Sequence, residues 1–249
     1  LDFIIGGGYN KYEGDHFGKV IWARYASQSE LGDRYYEDYA SKTDGNIFAK
    51  VNYQVTKKIS FFGDLQLRNV HYQANSYDTG LVNDNFNFFN PKAGLNFEIN
   101  DKNKLYFSYA RANREPNRTD YEGGNVKPEK LNDFELGWRY SSDKSRLNIN
   151  GYYMRYQDQL VLTGALNDVG DPIRTNVGES YRLGLEVDLS FQLSEKWNIR
   201  PNFTLSENKN IDFVNDATLE NLGNTTIAFS PSVIGGNILA FKPIQSVQI

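Results

Sequence analysis

The sequence contains no cysteine, only two histidines, and no run of about eighteen apolar residues. Without such a run, the chain has no candidate transmembrane helix. With only His16 and His71, and nothing resembling a nucleophile elbow or a metal-binding cluster, we expect no catalytic residues, no metal ligands and no cofactor. The net charge is −4 and no basic stretch is present, which argues against nucleic-acid binding. The sequence therefore predicts a non-enzyme.

What the sequence does contain is alternation of apolar and polar residues, clearest from Tyr181 to Leu193. Because successive strand side chains point to opposite faces, this segment predicts a strand with one apolar and one polar face. The segment has thirteen residues, or about 40 Å at roughly 3.3 Å per residue, and is therefore longer than the roughly 9–11 residues that cross a tilted bilayer. The pattern recurs in Ile47–Val55, Phe89–Ile99 and Phe134–Tyr140. The pattern is less clear in two further predicted strands, Ile59–Tyr72 and Arg146–Val161, where aromatic residues occur on both faces.

The links between predicted strands alternate strictly between short and long. The predicted strands are Asp2–Tyr9, Asn46–Val55, Ile59–Tyr72, Phe88–Ile99, Lys104–Asn113, Asn132–Tyr140, Arg146–Val161, Glu179–Leu193, Trp197–Ser206, Ile227–Phe241 and a terminal stub, Gln245–Ile249. The short links are residues 56–58, 100–103, 141–145, 194–196 and a turn at 242–243; the long ones are 75–87, 115–130, 163–178 and 207–225. Tight turns on one side and long loops on the other are typical of outer-membrane barrels. A soluble β-rich adhesin remains an alternative.

Residues 10–44 are the least regular part of the chain. Asp33, Arg34, Glu37 and Asp38 put a charge density there that is hard to place in lipid. We therefore predict one long external loop over about 10–44, with a small hairpin of its own.

Eleven strands cannot close in the even-stranded pattern usual for bacterial barrels, and an open edge is costly in hydrocarbon. The predicted fold class is thus all-β: part of an antiparallel transmembrane β-barrel.

Four sequence runs resemble a known family. They are Ala112–Tyr121, Lys127–Tyr140, Tyr153–Gly164 and Thr175–Asp188, and they are similar to the barrel of TonB-dependent outer-membrane receptors, closest to the ferric-siderophore type of Bacteroidetes. The resemblance spans most of the chain, so that residues 1–249 would form part of one barrel domain. It implies a 22-stranded barrel, of which this chain would supply about eleven strands, without the plug domain and the last strands.

The resemblance also implies a function. Such receptors lie in the outer membrane of Gram-negative bacteria, contact the lipid bilayer, bind a scarce solute such as a ferric siderophore, and take it up when the TonB complex pulls on the plug. A passive porin, or a receptor for haem, cobalamin or an oligosaccharide, remains an alternative.

Two sets of residues are candidate ligand contacts. In the first, Arg111, Arg114 and Arg118 bring three guanidinium groups close in sequence to Tyr121, and arginine suits anionic ligand oxygens. The alternative is that Arg114 and Arg118 pair with Glu115, Asp120 and Glu122 to order the loop. The second set comprises His16, Trp22, Tyr35 and Tyr36, whose rings either offer rigid contact area or pack their loop.

A third set of charged residues is expected to line the barrel wall and contact the plug: Asp64, Arg68, Glu135, Arg139, Arg182, Glu186 and Asp188.

Overall fold

The computed structural model describes residues 1–25, 28–76, 79–166 and 170–211, and the backbone of 223–234. Ten antiparallel strands form a single sheet in sequence order. They are β1 (Asp2–Lys19), β2 (Arg34–Gln54), β3 (Ile59–Ser76), β4 (Gly80–Asn100), β5 (Asn103–Arg114), β6 (Glu129–Ser141), β7 (Ser145–Leu166), β8 (Pro172–Ser194), β9 (Trp197–Asn210) and β10 (Gly223–Ile234), with one short helix, α1 (Arg118–Tyr121), between β5 and β6. In this part of the chain no helix is both long and apolar enough to span a membrane.

The all-β antiparallel fold and the first nine predicted strands are confirmed, as are residues 227–234 of the tenth. Each strand pairs with its successor, as in an up-and-down barrel wall. The terminal stub, residues 235–241 of the tenth predicted strand and the turn at 242–243 lie outside the described residues.

The sheet has an apolar face and a polar face, as the alternation predicts. On the apolar face, Ile47, Leu67 and Phe89 follow one another across β2, β3 and β4 in register. Leu67 is 58% exposed and Ile47 57%, although both lie in mid-strand. A contiguous exposed apolar surface of this kind marks contact with lipid or with another protein.

The buried residues are on the polar face and in the segment that covers its end. A cluster of buried apolar side chains lies there: Ala40, Tyr72, Ala74, Val82, Tyr121, Val126 and Leu160. Lower on the same face, aromatic rings lie against glycines of the neighbouring strand. Phe62 is in register with Gly94, and Tyr152 with Gly184; a Cβ on either glycine would come within 2.4 Å of the ring. These pairs explain the aromatic residues that blurred the predicted pattern.

Residues 10–44 are not a loop with a small separate hairpin, which corrects the prediction. β1 and β2 continue to pair as far as Lys19↔Arg34, and only residues 20–33 connect them. The charges that led to the loop prediction are accommodated by pairing: Arg34 with Glu37, and the buried Asp38 with Arg118. The predicted loops 75–87 and 163–178 are likewise mostly strand.

One seam interrupts the sheet. The register between β4 and β5 starts at Lys92↔Ala110, although β4 begins twelve residues earlier, at Gly80. Pro91 lies where the pairing stops, and proline cannot donate a ladder hydrogen bond. The Asn113 side chain bridges the gap by donating to Oδ1 of Asn90 at 2.8 Å. Beyond this point β1–β4 stay paired with one another, and β4 is separated from β5.

Candidate functional site

Residues 115–128, which we call the strap, join β5 to β6 and lie over the polar face at the end where the seam opens. The strap contains α1, which begins with a capping box. The Asn117 side chain accepts a hydrogen bond from the Asp120 N–H at 3.0 Å, and the Asp120 carboxylate accepts one from the Asn117 N–H at 2.8 Å. This exchange satisfies two backbone donors at the helix start and fixes the local shape of the strap.

Glu115 anchors the strap to β2 and β3. Arg68 donates to both oxygens of Glu115, at 2.7 and 2.8 Å, and the Lys42 ammonium donates at 2.6 Å. Arg68 also binds Asp44, with its Nη2 2.6 Å from Oδ2. Burial of the Glu115 carboxyl favours its neutral form, but the hydrogen bonds from Arg68 and Lys42 outweigh this and lower its pKa to about 2. Glu115 is therefore charged at neutral pH.

A second anchor connects α1 to β2, β3 and β4. Arg118 forms an ion pair with the buried carboxylate of Asp38. Tyr121 stacks on Tyr72, and its hydroxyl donates to Asp84 at 2.8 Å. Burial, with the neighbouring Asp84 carboxylate, raises the pKa of Tyr121. The hydroxyl therefore remains protonated and keeps this hydrogen bond.

A third anchor connects the strap to β8. The Lys127 N–H donates to the Asn176 side chain at 2.7 Å, and the Asn176 amide donates back to the Lys127 carbonyl at 3.0 Å. The fully buried Asp120 carboxylate lies 3.6 Å from Nη1 of Arg174 and 3.9 Å from Nη2 of Arg114. The strap thus connects strands on both sides of the seam, from β2 to β8.

The structure separates the first set of predicted ligand contacts. Arg114 pairs with Glu129 at 2.6 Å and Arg118 with Asp38, so both are engaged in ordering the strap, largely through partners other than the predicted ones. Tyr121 is buried. Arg111 is in register with Asn132 and lies on the same face of β5 as Tyr109, away from the strap. The three guanidinium groups do not converge on one point.

The second set lies toward the connecting end of the β1–β2 hairpin. Trp22 is 76% exposed and Tyr35 70%, and Tyr35 contacts Tyr36 edge-on with ring centroids 5.2 Å apart. His16 lies deeper, with Nε2 3.2 Å from the Tyr12 hydroxyl, and is in register with Asp38, the partner of Arg118. This set therefore adjoins the second anchor of the strap.

The predicted wall charges lie on the polar face by strand alternation. Asp64 is 3.4 Å from Lys50, while Arg139 lies over the Tyr106 ring at 4.3 Å and Arg182 over the Tyr156 ring at 5.1 Å. The remaining acidic residues, Glu135, Glu186 and Asp188, face Ser108, Asn150 and Asn148 in register. Within the described ranges, no group of three or more histidine or acidic side chains is placed to hold a metal ion.

Sequence reasoning missed Lys42, Asp44 and Asp38 as anchor partners. Asp38 lies 80 residues from Arg118 in the chain, and Glu115 lies 47 residues from Arg68. Only the charge density near Asp38 gave any signal, and it was interpreted as evidence for a loop.

A ten-stranded up-and-down wall with an apolar outer face, a charged inner face and an inward-lying strap defines a β-barrel membrane protein. The family described as TonB dependent receptor-like, beta-barrel matches residues 1–241, and the chain belongs to this family. The resemblance seen in the sequence is thereby confirmed.

Two curated relatives match about half of the chain. The "Ferric-pyoverdine 358 receptor" of Pseudomonas putida is 27% identical over 126 residues, which are 49% of this chain and 15% of that protein. The "Probable TonB-dependent siderophore receptor PiuA" of Acinetobacter baumannii is 26% identical over 130 residues, 48% of this chain and 17% of that protein. The matched segment therefore spans less than a fifth of either relative.

Solved structures show the same fold over nearly the whole chain. The copper transporter OprC superimposes with a TM-score of 0.70 at 18% identity, covering 95% of this chain and 39% of that one. The ferripyoverdine receptor of Pseudomonas aeruginosa gives a TM-score of 0.62 at 12% identity, covering 94% and 33%. At these identities the likeness concerns the fold alone.

Proposed function

We propose that this chain is the barrel part of an outer-membrane receptor that takes up a ferric siderophore with energy supplied through TonB. The observation that carries the proposal is membership of the TonB-dependent receptor family together with two curated relatives that are both named as siderophore receptors. The two-faced wall supports it, because its apolar face suits lipid and its polar face suits a water-filled interior in which a plug sits.

Within this proposal, ligand recognition belongs to the accessible side chains of the two predicted sets. Trp22, Tyr35 and Tyr36 offer exposed rings, and the Arg114 side chain is 49% exposed despite its ion pair. Rigid aromatic rings and a guanidinium group suit an anionic, partly apolar ferric complex. Arg118 and Tyr121 act through the strap, which they hold against the wall. Arg111, on the other face, takes no part.

The test uses the full-length receptor in a strain deleted for it. Uptake of ⁵⁵Fe is measured with ferric hydroxamate, ferric catecholate and ferric citrate, with haem and cobalamin as competing probes, in TonB-positive and TonB-deficient cells. The proposal expects uptake of one ferric complex that needs both the receptor and TonB. Receptor-dependent passage of small solutes that continues without TonB would identify a passive porin instead.

The ligand contacts are tested by binding of whichever ferric complex the cells take up. Trp22→Ala should weaken binding by about tenfold, as expected for a hot-spot aromatic residue, with unchanged stability. The matched control is Trp197→Ala, a partly exposed tryptophan next to the turn at the opposite end of the sheet. Equal affinity of both variants and the wild type would remove the hairpin from the ligand site.

A further inference from the structure

The apolar face changes to a polar one between two adjacent rows of residues on β1–β4. The last apolar row contains Ile47, Leu67 and Phe89, and the next row contains Tyr9, Gly45, Asn69 and Asn87, all in register. With the apolar face in lipid, this change marks the outer edge of the hydrocarbon on these strands. The step that follows rests on the outer-membrane location given under the proposed function.

A depression of about 370 Å³ crosses this edge on the outward surface. On the outward face it is lined by Gly45, Ile47, Leu67, Asn69 and Asn87. The backbone of Asn46, Arg68 and Phe88 completes the lining, and by strand alternation their side chains project to the other face. Gly45 creates it by having no side chain: a Cβ there would meet only Tyr9 Cδ2, at 3.5 Å. The volume is within the range of small-ligand sites, roughly 300–1,000 Å³. One end of the depression is aliphatic and the other is amide.

The amide end has unused hydrogen-bonding groups. The Asn69 amide nitrogen donates to the side-chain oxygens of both Asn85 and Asn87, at 2.8 Å each. Because the oxygens of Asn85 and Asn87 accept from Asn69, their amide nitrogens are left over, and in the described part of the chain neither donates to a protein acceptor, nor does Asn69 Oδ1 accept from a protein donor. Asn69 and Asn87 line the depression, and Asn85 lies one row beyond it. Donors and an acceptor side by side suit hydroxyl groups, which both accept and donate. The exposed ring of Tyr9 extends over Gly45 beside them.

Charge distinguishes this edge from the one farther along the sheet. On β7–β9 the corresponding outward positions hold the ion pair Arg155–Glu179, at 2.7 Å, and Glu207 bonded to Tyr181. Arg68 is in the lining, but its side chain projects to the other face, where it is paired with Asp44 and Glu115. On the outward face Lys11 and Glu13 pair with each other, and His71, in register with Asn85, lies one row beyond the lining. A phosphate headgroup would therefore find no uncommitted cation in the depression, whereas an uncharged hydroxylated headgroup needs none.

We propose that this depression binds a membrane lipid with a neutral sugar headgroup. The acyl chain lies along Ile47 and Leu67, and the sugar hydroxyls bond to the amides of Asn69, Asn85 and Asn87 with the ring against Tyr9. Lipid binding here is separate from solute uptake, since the surface faces away from the interior.

The experiment is native mass spectrometry of the full-length receptor in detergent, titrated with three probes that share the same acyl chains: monogalactosyl diacylglycerol, phosphatidylglycerol and diacylglycerol. The glycolipid should form a one-to-one adduct at about tenfold lower concentration than either of the others. Asn87→Leu should abolish that preference. Gly45→Leu should abolish it too, because the new side chain would occupy the space over Gly45 in the depression. Asn83→Leu is the matched control, because it alters an exposed amide on the same face outside the depression.

Two results would overturn the inference: equal or stronger binding of phosphatidylglycerol by the wild type, or a preference that survives Asn87→Leu. If Gly45→Leu fails to assemble, Asn87→Leu still decides. Iron uptake by Asn87→Leu should match that of the wild type. A receptor that takes up no ferric complex yet prefers the glycolipid would refute the proposed function and leave this inference standing.

Discussion

The ring of Tyr121 stacks on the ring of Tyr72 with centroids 5.6 Å apart and an interplanar angle of 20°. Tyr72 is on a strand and Tyr121 on the short helix of the strap, so the contact joins two elements on opposite sides of the seam. Offset aromatic stacking contributes about 0.5–1.5 kcal/mol beyond the burial of the rings. The stack makes the strap part of the folded wall.

Two substitutions of Tyr121 should distinguish the contribution of the ring stacking from that of the hydroxyl hydrogen bond. Tyr121→Phe keeps the ring but removes the donor to Asp84, and we expect a loss of about 1 kcal/mol in the free energy of unfolding. Tyr121→Ala also empties a buried site and should cost about 3–5 kcal/mol. Urea unfolding of the full-length receptor in lipid vesicles measures both. Equal losses would mean that the ring contributes nothing.

Glu115 should make the free energy of unfolding depend on pH in the acid range. Its folded pKa of about 2 lies below the ordinary value of 4.5, so its contribution is complete above about pH 4.5 and is lost as the pH falls toward 2. The difference corresponds to at most about 3 kcal/mol. Glu115→Gln should lower stability at pH 7 and flatten the profile between pH 4.5 and 2.

The control for that profile is Glu98→Gln. Glu98 pairs with Lys104 at 2.5 Å, but the two side chains are 44% and 51% exposed. Exposed pairs contribute about 0–1 kcal/mol, so this variant should leave the acid profile close to that of the wild type. Indistinguishable profiles for the two variants would contradict the role of the Glu115 cluster.

The glycines opposite aromatic rings should be intolerant of side chains. A Cβ at Gly94 would lie 2.2 Å from Phe62 and 2.8 Å from the backbone oxygen of Phe107, so Gly94→Val forces the backbone to shift. We expect a loss of about 1–3 kcal/mol, the usual cost of overpacking. Gly45→Ala, whose Cβ meets only Tyr9 at ordinary contact distance, should be near neutral. Comparable losses in urea unfolding would reject the packing role.

The two faces of the wall can be compared at adjacent positions of β3. Leu65 is 54% exposed on the apolar face, and Gln66 lies on the polar face, where it accepts a hydrogen bond from Asn90. Leu65→Lys should impair assembly by about 2–4 kcal/mol, the cost of a basic side chain in mid-membrane. Gln66→Lys should cost much less. Heat-modifiable gel migration reports assembly, and similar defects in both would mean that the faces are assigned wrongly.

The sequence predicted the strands well because each strand carries its own alternation, as Leu183, Leu185 and Val187 do in β8. It overestimated the loops because a strand that leaves the lipid no longer needs apolar residues on its outer face. Asn83, Asn85 and Asn87 are strand residues of β4, yet the composition of this segment is that of a loop. Polarity alone does not distinguish a polar strand from a loop.

The site was less predictable for a different reason. The capping box of the strap is local, and Asn117 with Asp120 is visible in the sequence. The partner of Arg118 is on β2, 80 residues away in the chain, and Arg68, which binds Glu115, is on β3, 47 residues away. Long-range pairs of this kind leave no periodic signal.

The seam has a mechanical consequence. Backbone hydrogen bonds join β3 to β4 as far as Ser76↔Gly80, whereas in the described residues no backbone pairing joins β4 to β5 above Pro91, where the Asn113 side chain links the two strands. A continuous ladder of backbone hydrogen bonds resists separation along its whole length, whereas isolated side-chain contacts can break one at a time. β4 and β5 can therefore separate above Pro91 without breaking the backbone pairing below it.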